Sequence, residues 1–368
     1  MRRARLHAGI ALQAQAAGND PLEIRKIRAF PLREPGSGRR YTLVKIETRG
    51  GLAGWGECGE FTRAEFAAAR DAVVGTMASA YEIAWRKLGQ ARAIRAAVNM
   101  AQLDVLGKLS KAPVYQVLGG PTRFKARAIA RLEGPAALDR AQTAGYKAFL
   151  VPAVPTEWRN QGKAYMNRIR NLMNMMRNAA GADSDFVLDA AGAFTPGDAQ
   201  SVAAELESFH MLWFDEPCGV LNLGAIRKIA GENVTPLGFG RTVGDAQGFQ
   251  NLLSEDAVDL LRPDLAVHGI SQIRRIAAIA EVYYVAVAPY HNGGPVATAA
   301  ALHLAASLPN FFIQQVPLPG AQSDIDMRRA IAGDAIEKVT GGFLALPTGP
   351  GFGITVNEQA LTRYQEAA

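Results

Sequence analysis

The sequence predicts an α/β protein in which a barrel of alternating strands and helices follows a smaller α+β domain. Three charged residues, Asp189, Asp215 and Arg241, are spaced 26 residues apart, and each ends a short apolar run. This spacing fits one strand, one helix and two loops, which is the repeating unit of a (β/α)₈ barrel. Because polar groups at the C-terminal ends of barrel strands meet at a shared mouth, we expect these three side chains to lie close together.

The α+β domain is predicted to span residues 22–125. Tyr41–Thr48 alternates between apolar and polar residues as a strand does, Arg49–Gly51 supplies a turn, and Leu52–Glu57 is the returning strand. From Ala64 to Lys111 the apolar spacing becomes helical. A sheet followed by helices is typical of an α+β domain.

The barrel is predicted to span residues 126–340. Its strands are expected to begin near Ala126, Ala148, Asp185, Met211, Thr235, Val258, Val285 and Phe311. A doubly wound open sheet is the competing arrangement, but it usually carries a glycine-rich phosphate loop after its first strand, and this sequence has none there. Residues 341–368 are rich in glycine and proline and are predicted to pack back on the first domain.

Composition favours a globular protein that acts on small molecules. The chain has 368 residues, of which 49% are hydrophobic and 20% charged, and this length allows a barrel and a second domain. The net charge is +6, but Lys and Arg are scattered, so nucleic-acid binding is not expected. A mild positive field suits small anionic ligands. No apolar run is long enough to cross a membrane, so no membrane association is expected.

The N-terminus and the cysteines favour a cytoplasmic protein. Residues 1–21 are predicted to form an N-terminal extension. Arg2-Arg3 and the apolar stretch after them resemble an export signal, which stays the alternative, although His7 and other polar residues interrupt the stretch. Cys58 and Cys218 form no CxxC pattern and are expected to be reduced, buried thiols.

Seven short motifs occur in a fixed order between about residues 22 and 357. They are Gly51-Leu-Ala-Gly-Trp-Gly-Glu57, Asp104-Val-Leu-Gly-Lys108, Pro113-Val-Tyr-Gln-Val-Leu-Gly-Gly120, Val187-Leu-Asp-Ala-Ala-Gly-Ala193, Asp215-Glu-Pro217, Arg262-Pro-Asp264 and Gly294-Pro295. Together they resemble the enolase superfamily, and within it the mandelate racemase-like, acid-sugar dehydratase group. The resemblance implies a capping α+β domain over a modified (β/α)₇β barrel, with the C-terminal segment packed on the cap, and a homo-oligomer.

The resemblance also implies a magnesium site, and this sequence departs from it. Members of the group bind Mg²⁺ through three carboxylates and remove the proton α to a substrate carboxylate, with no organic cofactor. The three metal positions correspond here to Asp189, Asp215 and Arg241, and Glu216 follows the second. A guanidinium cannot supply an oxygen ligand, so we interpret the site as a remnant in which Mg²⁺ is lost or weakly held.

The proton-carrying positions of the group are replaced as well. Leu150 and Pro152 stand where the group has two lysines. The histidine position on the seventh strand falls on Tyr290 if the Pro-to-Pro spacing is kept, or on His291 if the count from Asp264 is kept. Tyr290, His291 and Asp264 are therefore the candidate catalytic residues.

The expected ligand is a small carboxylate, such as a sugar acid. The candidate ligand-binding residues are Arg241, Gln315, Arg39 and Arg40, the last two because the resemblance places them on a loop that closes over the barrel mouth. Gln315 stands where the group has a glutamate, and it can donate a hydrogen bond but cannot ionise. We hypothesise that Arg241 occupies the volume of the Mg²⁺ and forms forked hydrogen bonds to the neighbouring carboxylates.

Three functions stay open from the sequence. The chain is a non-catalytic protein that binds a ligand or contributes to an assembly, or it is a lyase or racemase with altered chemistry in which Tyr290 or His291 carries the proton. In the third alternative Asp189, Asp215 and Glu216 still hold Mg²⁺ with the help of water, and some dehydratase activity is retained.

Overall fold

The computed structural model describes residues 20–153 and 162–366, and it begins with a three-stranded antiparallel sheet. The strands are β1 (Ile24–Arg33), β2 (Arg40–Thr48) and β3 (Ala53–Cys58), joined in that order. Strands β2 and β3 are the predicted hairpin around Gly50-Gly51. Residues 1–19, which hold most of the predicted extension and its export-like stretch, lie outside the described residues.

The helical region after this sheet is divided into four helices: α1 (Arg63–Val73), α2 (Tyr81–Lys87), α3 (Arg92–Leu109) and α4 (Val114–Val117). Thr62 begins α1 with a capping box, because its side chain accepts from the backbone of Glu65 and the Glu65 side chain accepts in return. The longest of these four helices, α3, is buried along most of its length between the sheet and the barrel.

Helix α3 lies unusually close to strand β3 because two glycines face it. A Cβ added to Gly56 would lie 1.9 Å from the carbonyl oxygen of Ala97, and one added to Gly54 would lie 2.0 Å from that of Ala101. Any larger residue at either position would collide with helix backbone rather than with a flexible side chain. The glycines of the first motif therefore set the spacing between sheet and helix in the capping domain.

Eight parallel strands then form a closed barrel. They are β4 (Lys125–Arg131), β5 (Ala148–Pro152), β6 (Asp185–Asp189), β7 (Trp213–Asp215), β8 (Leu237–Phe239), β9 (Leu260–Leu261), β10 (Ala286–Val287) and β11 (Gln314–Val316). The strands from β4 to β10 pair in sequence order, β11 pairs with β4, and a bridge between Val287 and Phe311 closes the ring. Each strand begins within three residues of its predicted start, so the barrel prediction is confirmed.

Helices surround the barrel between and after its strands. They are α5 (Leu138–Thr143), α6 (Lys163–Ala180), α7 (Pro196–Leu206), α8 (Leu223–Glu232), α9 (Ala246–Ser254), α10 (Leu265–Val282), α11 (Pro295–Ser307) and α12 (Gln322–Ala332). Short 3₁₀ turns lie at Leu88–Gln90, Pro135–Ala137, Glu207–Phe209 and Ala335–Glu337. Helix α11 is buried at every position, which explains why it is apolar on all faces.

Helix α10 joins the barrel to the capping domain at a kink. Gly269 has a φ of 61°, so it leaves the helical conformation inside α10. The Asn99 side chain of α3 fills the gap, accepting from the Ser271 backbone amide (3.1 Å) and donating to the Ser271 hydroxyl (2.9 Å). Two buried polar groups are thereby satisfied across the interface of the two domains.

The C-terminal segment contacts both parts of the molecule. Strands β12 (Val339–Thr340) and β13 (Phe343–Ala345) form a hairpin, and β13 pairs antiparallel with β4. Further on, the backbone amide of Phe352 donates to the buried carboxylate of Asp104 on α3 (2.8 Å). Helix α13 (Glu358–Tyr364) then packs on β1, and Glu358 forms an ion pair with Lys45 at 2.6 Å.

Apolar side chains fill the barrel interior. Leu150 and Trp213 belong to a buried cluster contributed by the barrel strands, with Ile129, Ala148, Val187, Leu260, Ala288 and Ile313. Trp213 fits because β8 has Gly238 beside it, where a Cβ would lie 2.4 Å from the indole. This buried cluster, which we call the apolar plug, fills the barrel below its mouth. None of the helices in the described ranges is both long and apolar enough to cross a bilayer.

A candidate ligand site at the barrel mouth

The three charged residues at 26-residue intervals meet at the C-terminal ends of the barrel strands. Asp189 ends β6 and Asp215 ends β7, and the parallel register places them side by side. Arg241 follows β8 by two residues, after Gly240, whose φ of 131° turns the chain toward the mouth. Their predicted convergence is observed.

Arg241 and Asp189 form a two-pronged ion pair. Nη1 donates to Oδ2 at 3.1 Å and Nη2 donates to Oδ1 at 2.6 Å. The Arg241 Nε lies 3.4 Å from Oδ2 of Asp215. Burial works against the charged form of Arg241, but the Asp215 and Asp189 carboxylates outweigh it and raise its pKa. The forked contact that we hypothesised between Arg241 and a neighbouring carboxylate is present.

The hydrogen-bonding capacity of Asp189 is full. In addition to the two Arg241 contacts, Oδ1 accepts from the Ala191 backbone amide at 2.9 Å and Oδ2 accepts from Arg131 Nε at 3.2 Å. Four donors saturate the lone pairs of one carboxylate. A cation could bind Asp189 in this arrangement only by displacing a donor.

Asp215 is held by a second arginine, Arg262, which the sequence analysis names within a motif but does not propose as a site residue. Its Oδ1 accepts from Trp213 Nε1 at 2.7 Å and from Arg262 Nε at 3.0 Å, whereas Oδ2 makes no hydrogen bond with described residues. Arg262 is fully buried and also donates to the Ala288 carbonyl (2.9 Å) and to Oε1 of Gln315. The signal for Arg262 was present, because Arg262 directly follows the apolar residues Leu260 and Leu261 at the end of a predicted strand.

These contacts make one continuous chain of side chains across the mouth. We call it the arginine–aspartate row, and its members in order are Arg131, Asp189, Arg241, Asp215, Arg262 and Gln315. Gln315 thus accepts a hydrogen bond from an arginine beneath the mouth. Each buried charge in the row has an oppositely charged neighbour, as buried charges require.

Glu216 supports the backbone of Arg241 rather than its guanidinium. Its Oε1 accepts from the backbone amides of Gly240 and Arg241, both at 2.7 Å. Burial and the neighbouring Asp215 carboxylate raise the pKa of Glu216 to about 7, although the two amides and the Arg241 charge oppose the shift. Glu216 has a φ of 43°, and this left-handed turn directs its carboxylate across to the β8 loop.

Tyr290 and Asp264 lie beside the row and contact each other. The Tyr290 hydroxyl donates to the Arg241 carbonyl at 3.3 Å and lies beside the Asp264 carboxylate. The guanidinium carbons of Arg241 and Arg262 lie 5.9 Å and 5.5 Å from the centre of the Tyr290 ring. Asp264 also caps α10 by accepting from the Ala266 amide at 2.8 Å. Burial raises the pKa of both Asp264 and Tyr290.

His291 belongs to a different buried cluster. Its Nδ1 accepts from the Gly293 amide at 3.3 Å, and its Nε2 lies 3.4 Å from the Thr298 hydroxyl on α11. Burial and the nearby Arg328 charge lower the pKa of His291 to about 3, so the imidazole is neutral at physiological pH. Of the two residues that compete for the histidine position, Tyr290 is the one that contacts the row.

Arg39 and Arg40 lie at the end of the loop between β1 and β2, which we call the capping loop, and each forms an ion pair with a carboxylate. Arg39 lies 3.9 Å from Glu34, and Arg40, about half exposed, lies 3.3 Å from both Glu60 and Glu366. Neither contacts the row within the described residues.

The capping loop itself is held on α12. The Glu34 carboxylate accepts from Arg328 Nη1 at 2.6 Å, and Arg328 also binds Glu337 at 2.6 Å. The Asp324 carboxylate accepts from the backbone amides of Gly36 (2.6 Å) and Ser37 (2.9 Å). Both partners on α12 are buried, so the loop is tied down at two points.

The two positions that correspond to the lysines of the group hold side chains that cannot take up a proton. Leu150 lies in the apolar plug, and Pro152 stands next to Asp189 in the strand register. Lys147 precedes β5, and its carbonyl accepts from the Asp185 amide at the start of β6, which places it at the opposite end of the barrel from the mouth.

The oxygens at the mouth do not fit Mg²⁺ as they are arranged. Asp189 is saturated by four donors, one oxygen of Asp215 accepts from Trp213 and Arg262 while the other faces Arg241 Nε at 3.4 Å, and Glu216 binds backbone amides. Across residues 20–153 and 162–366, no group of three or more His, Cys, Asp or Glu side chains is placed to hold a metal ion. The guanidinium of Arg241 lies among the carboxylates, where a divalent cation would meet charge repulsion.

The eight-stranded barrel, the capping sheet and the carboxylates at successive strand ends define an enolase-type fold. Residues 135–360 match the family model described as enolase C-terminal domain-like, and residues 34–119 match the N-terminal domain model of mandelate racemase and muconate lactonizing enzyme. The chain belongs to this mandelate racemase/muconate lactonizing enzyme family of the enolase superfamily.

Curated relatives and solved structures agree with this assignment. The chain is 29% identical over 328 residues to a D-galactonate dehydratase family member from Streptomyces bingchenggensis, covering 76% of this chain and 80% of the relative. It is 27% identical to another D-galactonate dehydratase family member, from a Marinomonas species, covering 92% and 95%. A mandelate racemase/muconate lactonizing enzyme structure from a Sulfitobacter species superimposes with a TM-score of 0.82 at 25% identity, covering 94% of this chain and 96% of that one.

Proposed function

We propose that this protein binds a small carboxylate of the sugar-acid class at the barrel mouth, and that it does not carry out metal-assisted removal of an α-proton. The observation that carries the proposal is the two-pronged pair between Arg241 and Asp189 at two of the three positions where the group holds Mg²⁺. A fixed cation replaces an exchangeable one at this point. The site keeps its positive charge but loses the open coordination positions of a metal.

The replacement of several other groups supports the same proposal. Enolate chemistry needs a base near the α-carbon and a positive centre that binds the developing oxyanion. Leu150 and Pro152 cannot take up a proton, and Gln315 cannot ionise. Losing each such group costs several kcal/mol of transition-state stabilisation, on the order of 10²–10⁴ in rate for a missing general base. Because these losses occur together, binding is the function that the remaining side chains support best.

The ligand class is inferred from the relatives and from the guanidiniums at the mouth. Two curated relatives are named as D-galactonate dehydratase family members. In this chain three guanidiniums belong to the arginine–aspartate row, and a guanidinium with free Nη atoms binds the two oxygens of a carboxylate. We also propose that the protein forms a homo-oligomer, which light scattering after size-exclusion chromatography tests.

A second candidate is a lyase or racemase in which Tyr290 carries the proton. One observation favours it, namely that the Tyr290 hydroxyl lies beside a buried carboxylate, Asp264, and beside Arg241. A carboxylate in this position orients the phenol. Against it, burial and the Asp264 carboxylate raise the pKa of Tyr290, which makes the phenolate a rare species at neutral pH.

Metal analysis and a ligand screen distinguish the candidates. We expect purified protein to contain no stoichiometric divalent metal and to gain thermal stability from one or more sugar acids equally in EDTA and in MgCl₂, because a bound ligand stabilises the folded state by mass action. Each acid that binds is then incubated with the protein and tested for dehydration or racemisation. Turnover without metal favours the Tyr290 candidate, stoichiometric Mg²⁺ refutes the proposal, and the absence of any stabilisation favours a structural role.

A further inference from the structure

One arginine of the arginine–aspartate row keeps a hydrogen-bonding edge that no other member of the row occupies. The row contains three arginines and two aspartates, and its last member, Gln315, is neutral. Two further carboxylates, those of Glu216 and Asp264, act on Arg241 at the centre of the row. The arginines therefore differ in their remaining hydrogen-bonding capacity rather than in a net charge of the row.

The arginine with the unoccupied edge is also the one most exposed to solvent. The Arg262 side chain is 0% exposed, that of Arg241 is 13% exposed, and that of Arg131 is 44% exposed. Arg131 uses only Nε, which donates to Asp189, and its Nη1 and Nη2 have no partner among residues 20–153 and 162–366. In Arg241, by contrast, both Nη atoms already contact Asp189.

We propose that Arg131 is the residue that binds the carboxylate group of the ligand, with Nη1 and Nη2 each donating to one carboxylate oxygen. This inference rests on the proposed function and replaces Arg241 as the anion-binding residue, since Arg241 is committed to Asp189. The outer edge of a guanidinium matches the two oxygens of a carboxylate. The bond from Nε to Asp189 fixes the guanidinium before the ligand arrives, which reduces the entropy lost on binding.

The neighbouring acid does not block this edge. Glu133 follows Arg131 by two residues, and its carboxylate lies 3.5 Å from Arg140 on α5. Its side chain is largely exposed, so this contact is weak and screened.

The same strand supplies a matched control. Arg127 of β4 forms an ion pair with Asp185, and the two residues are 58 positions apart, as Arg131 and Asp189 are. Asp185 begins β6 and Asp189 ends it, so the two pairs lie at opposite ends of the barrel. The two arginines are thus alike in strand, partner type and partial exposure, and they differ in whether they face the mouth.

The first test is calorimetric titration with D-galactonate and with galactitol, which lacks the carboxylate. We expect wild type to bind galactonate and not galactitol. Arg131→Gln should weaken galactonate binding about 100-fold, because two charge-assisted hydrogen bonds are lost. Arg131→Lys keeps the positive charge but lacks the two parallel N–H donors, and it should weaken galactonate binding about 10-fold. Arg127→Gln should stay within about 2-fold of wild type. An Arg131→Gln variant that is folded and binds galactonate as wild type does would overturn the assignment.

The second test does not depend on which sugar acid is the natural ligand. Phenylglyoxal reacts with the Nη atoms of free guanidiniums, and the modified sites are mapped by mass spectrometry with acetate or chloride present at equal ionic strength. We expect Arg131 to react faster than Arg241, and acetate to slow the reaction at Arg131 but not at Arg127. Equal rates at Arg131 and Arg241, or equal protection of Arg131 and Arg127, would refute the role of Arg131. Acetate protection of Arg131 in a protein that binds no sugar acid would support the fork and refute the proposed function.

Discussion

Replacing Arg241 by glutamate exchanges the central cation of the arginine–aspartate row for a third carboxylate. In the native protein Asp189 and Asp215 have side chains that are 1% and 0% exposed, and Arg241 contacts both. Removing one partner of a buried ion pair costs about 3–5 kcal/mol, because the remaining charge is left uncompensated. We therefore expect Arg241→Glu to lower the free energy of unfolding by this amount in the presence of EDTA.

The same substitution rebuilds the three-carboxylate arrangement that the group uses to hold Mg²⁺. Magnesium at 100 times its Kd stabilises a folded protein by about 2.7 kcal/mol. Urea unfolding of Arg241→Glu in EDTA and in excess MgCl₂ should reveal a difference of about this size, and wild type should unfold identically in both buffers. Arg241→Gln should be destabilised without any response to magnesium, because it removes the cation and adds no charge.

Arg127→Glu is the control for a general effect of charge reversal. Its pair with Asp185 is partly exposed on both sides, so the loss is expected to be about 0–1 kcal/mol and independent of magnesium. If Arg241→Glu gains no affinity for Mg²⁺, or if wild type is itself stabilised by Mg²⁺, then Arg241 does not stand in the place of the metal.

Three further predictions concern groups near and away from the mouth. The pKa of Glu216 is raised from 4.5 to about 7. The stability that Glu216 contributes is therefore complete below pH 4.5 and is lost as the pH rises through 7. Glu216→Gln should remove up to about 3 kcal/mol of this pH dependence, measured by urea unfolding at a series of pH values. The His291 imidazole, with its pKa lowered to about 3, should show no NMR titration between about pH 5 and 8, and a midpoint near 6.5 would contradict its burial. Gly56→Ala should destabilise the fold by about 1–3 kcal/mol or more, because the added Cβ would meet the Ala97 carbonyl. Gly59→Ala is the control, because the space around Gly59 is open and no destabilisation is expected. Equal melting temperatures of the two variants would refute the close packing of α3 on β3.

Much of the architecture could be predicted because it depends on local pattern. The alternation of Tyr41–Thr48 predicts a half-buried strand, and the short apolar runs of the barrel predict parallel strands that are buried on both faces. The even spacing of Asp189, Asp215 and Arg241 predicts their meeting, because each barrel unit repeats the same length of chain. The pairing of Arg241 with Asp189 follows from opposite charge at the C-terminal ends of β8 and β6, the two strands on either side of β7.

The partners inside the site could not be predicted in the same way. Arg131 and Arg262 also end apolar runs, but nothing local distinguishes a surface arginine from one that binds a buried carboxylate. Tyr290 and His291 are neighbours in the chain, yet one contacts the row and the other lies against α11. Alternate residues near a strand end point in different directions, so the fold of the following loop decides which of the two faces the mouth.

The sequence by itself determined the barrel and the capping domain, since these follow from periodicity and spacing, and it places at position 241 a guanidinium, which cannot supply an oxygen ligand. Tertiary structure alone decided which guanidinium is buried, which is saturated and which remains open at Arg131. The physical reason is that partners distant in sequence occupy the hydrogen-bonding atoms of these charged side chains. Asp189 receives donors from residues 131, 191 and 241, and only the folded chain brings all three within reach of one carboxylate.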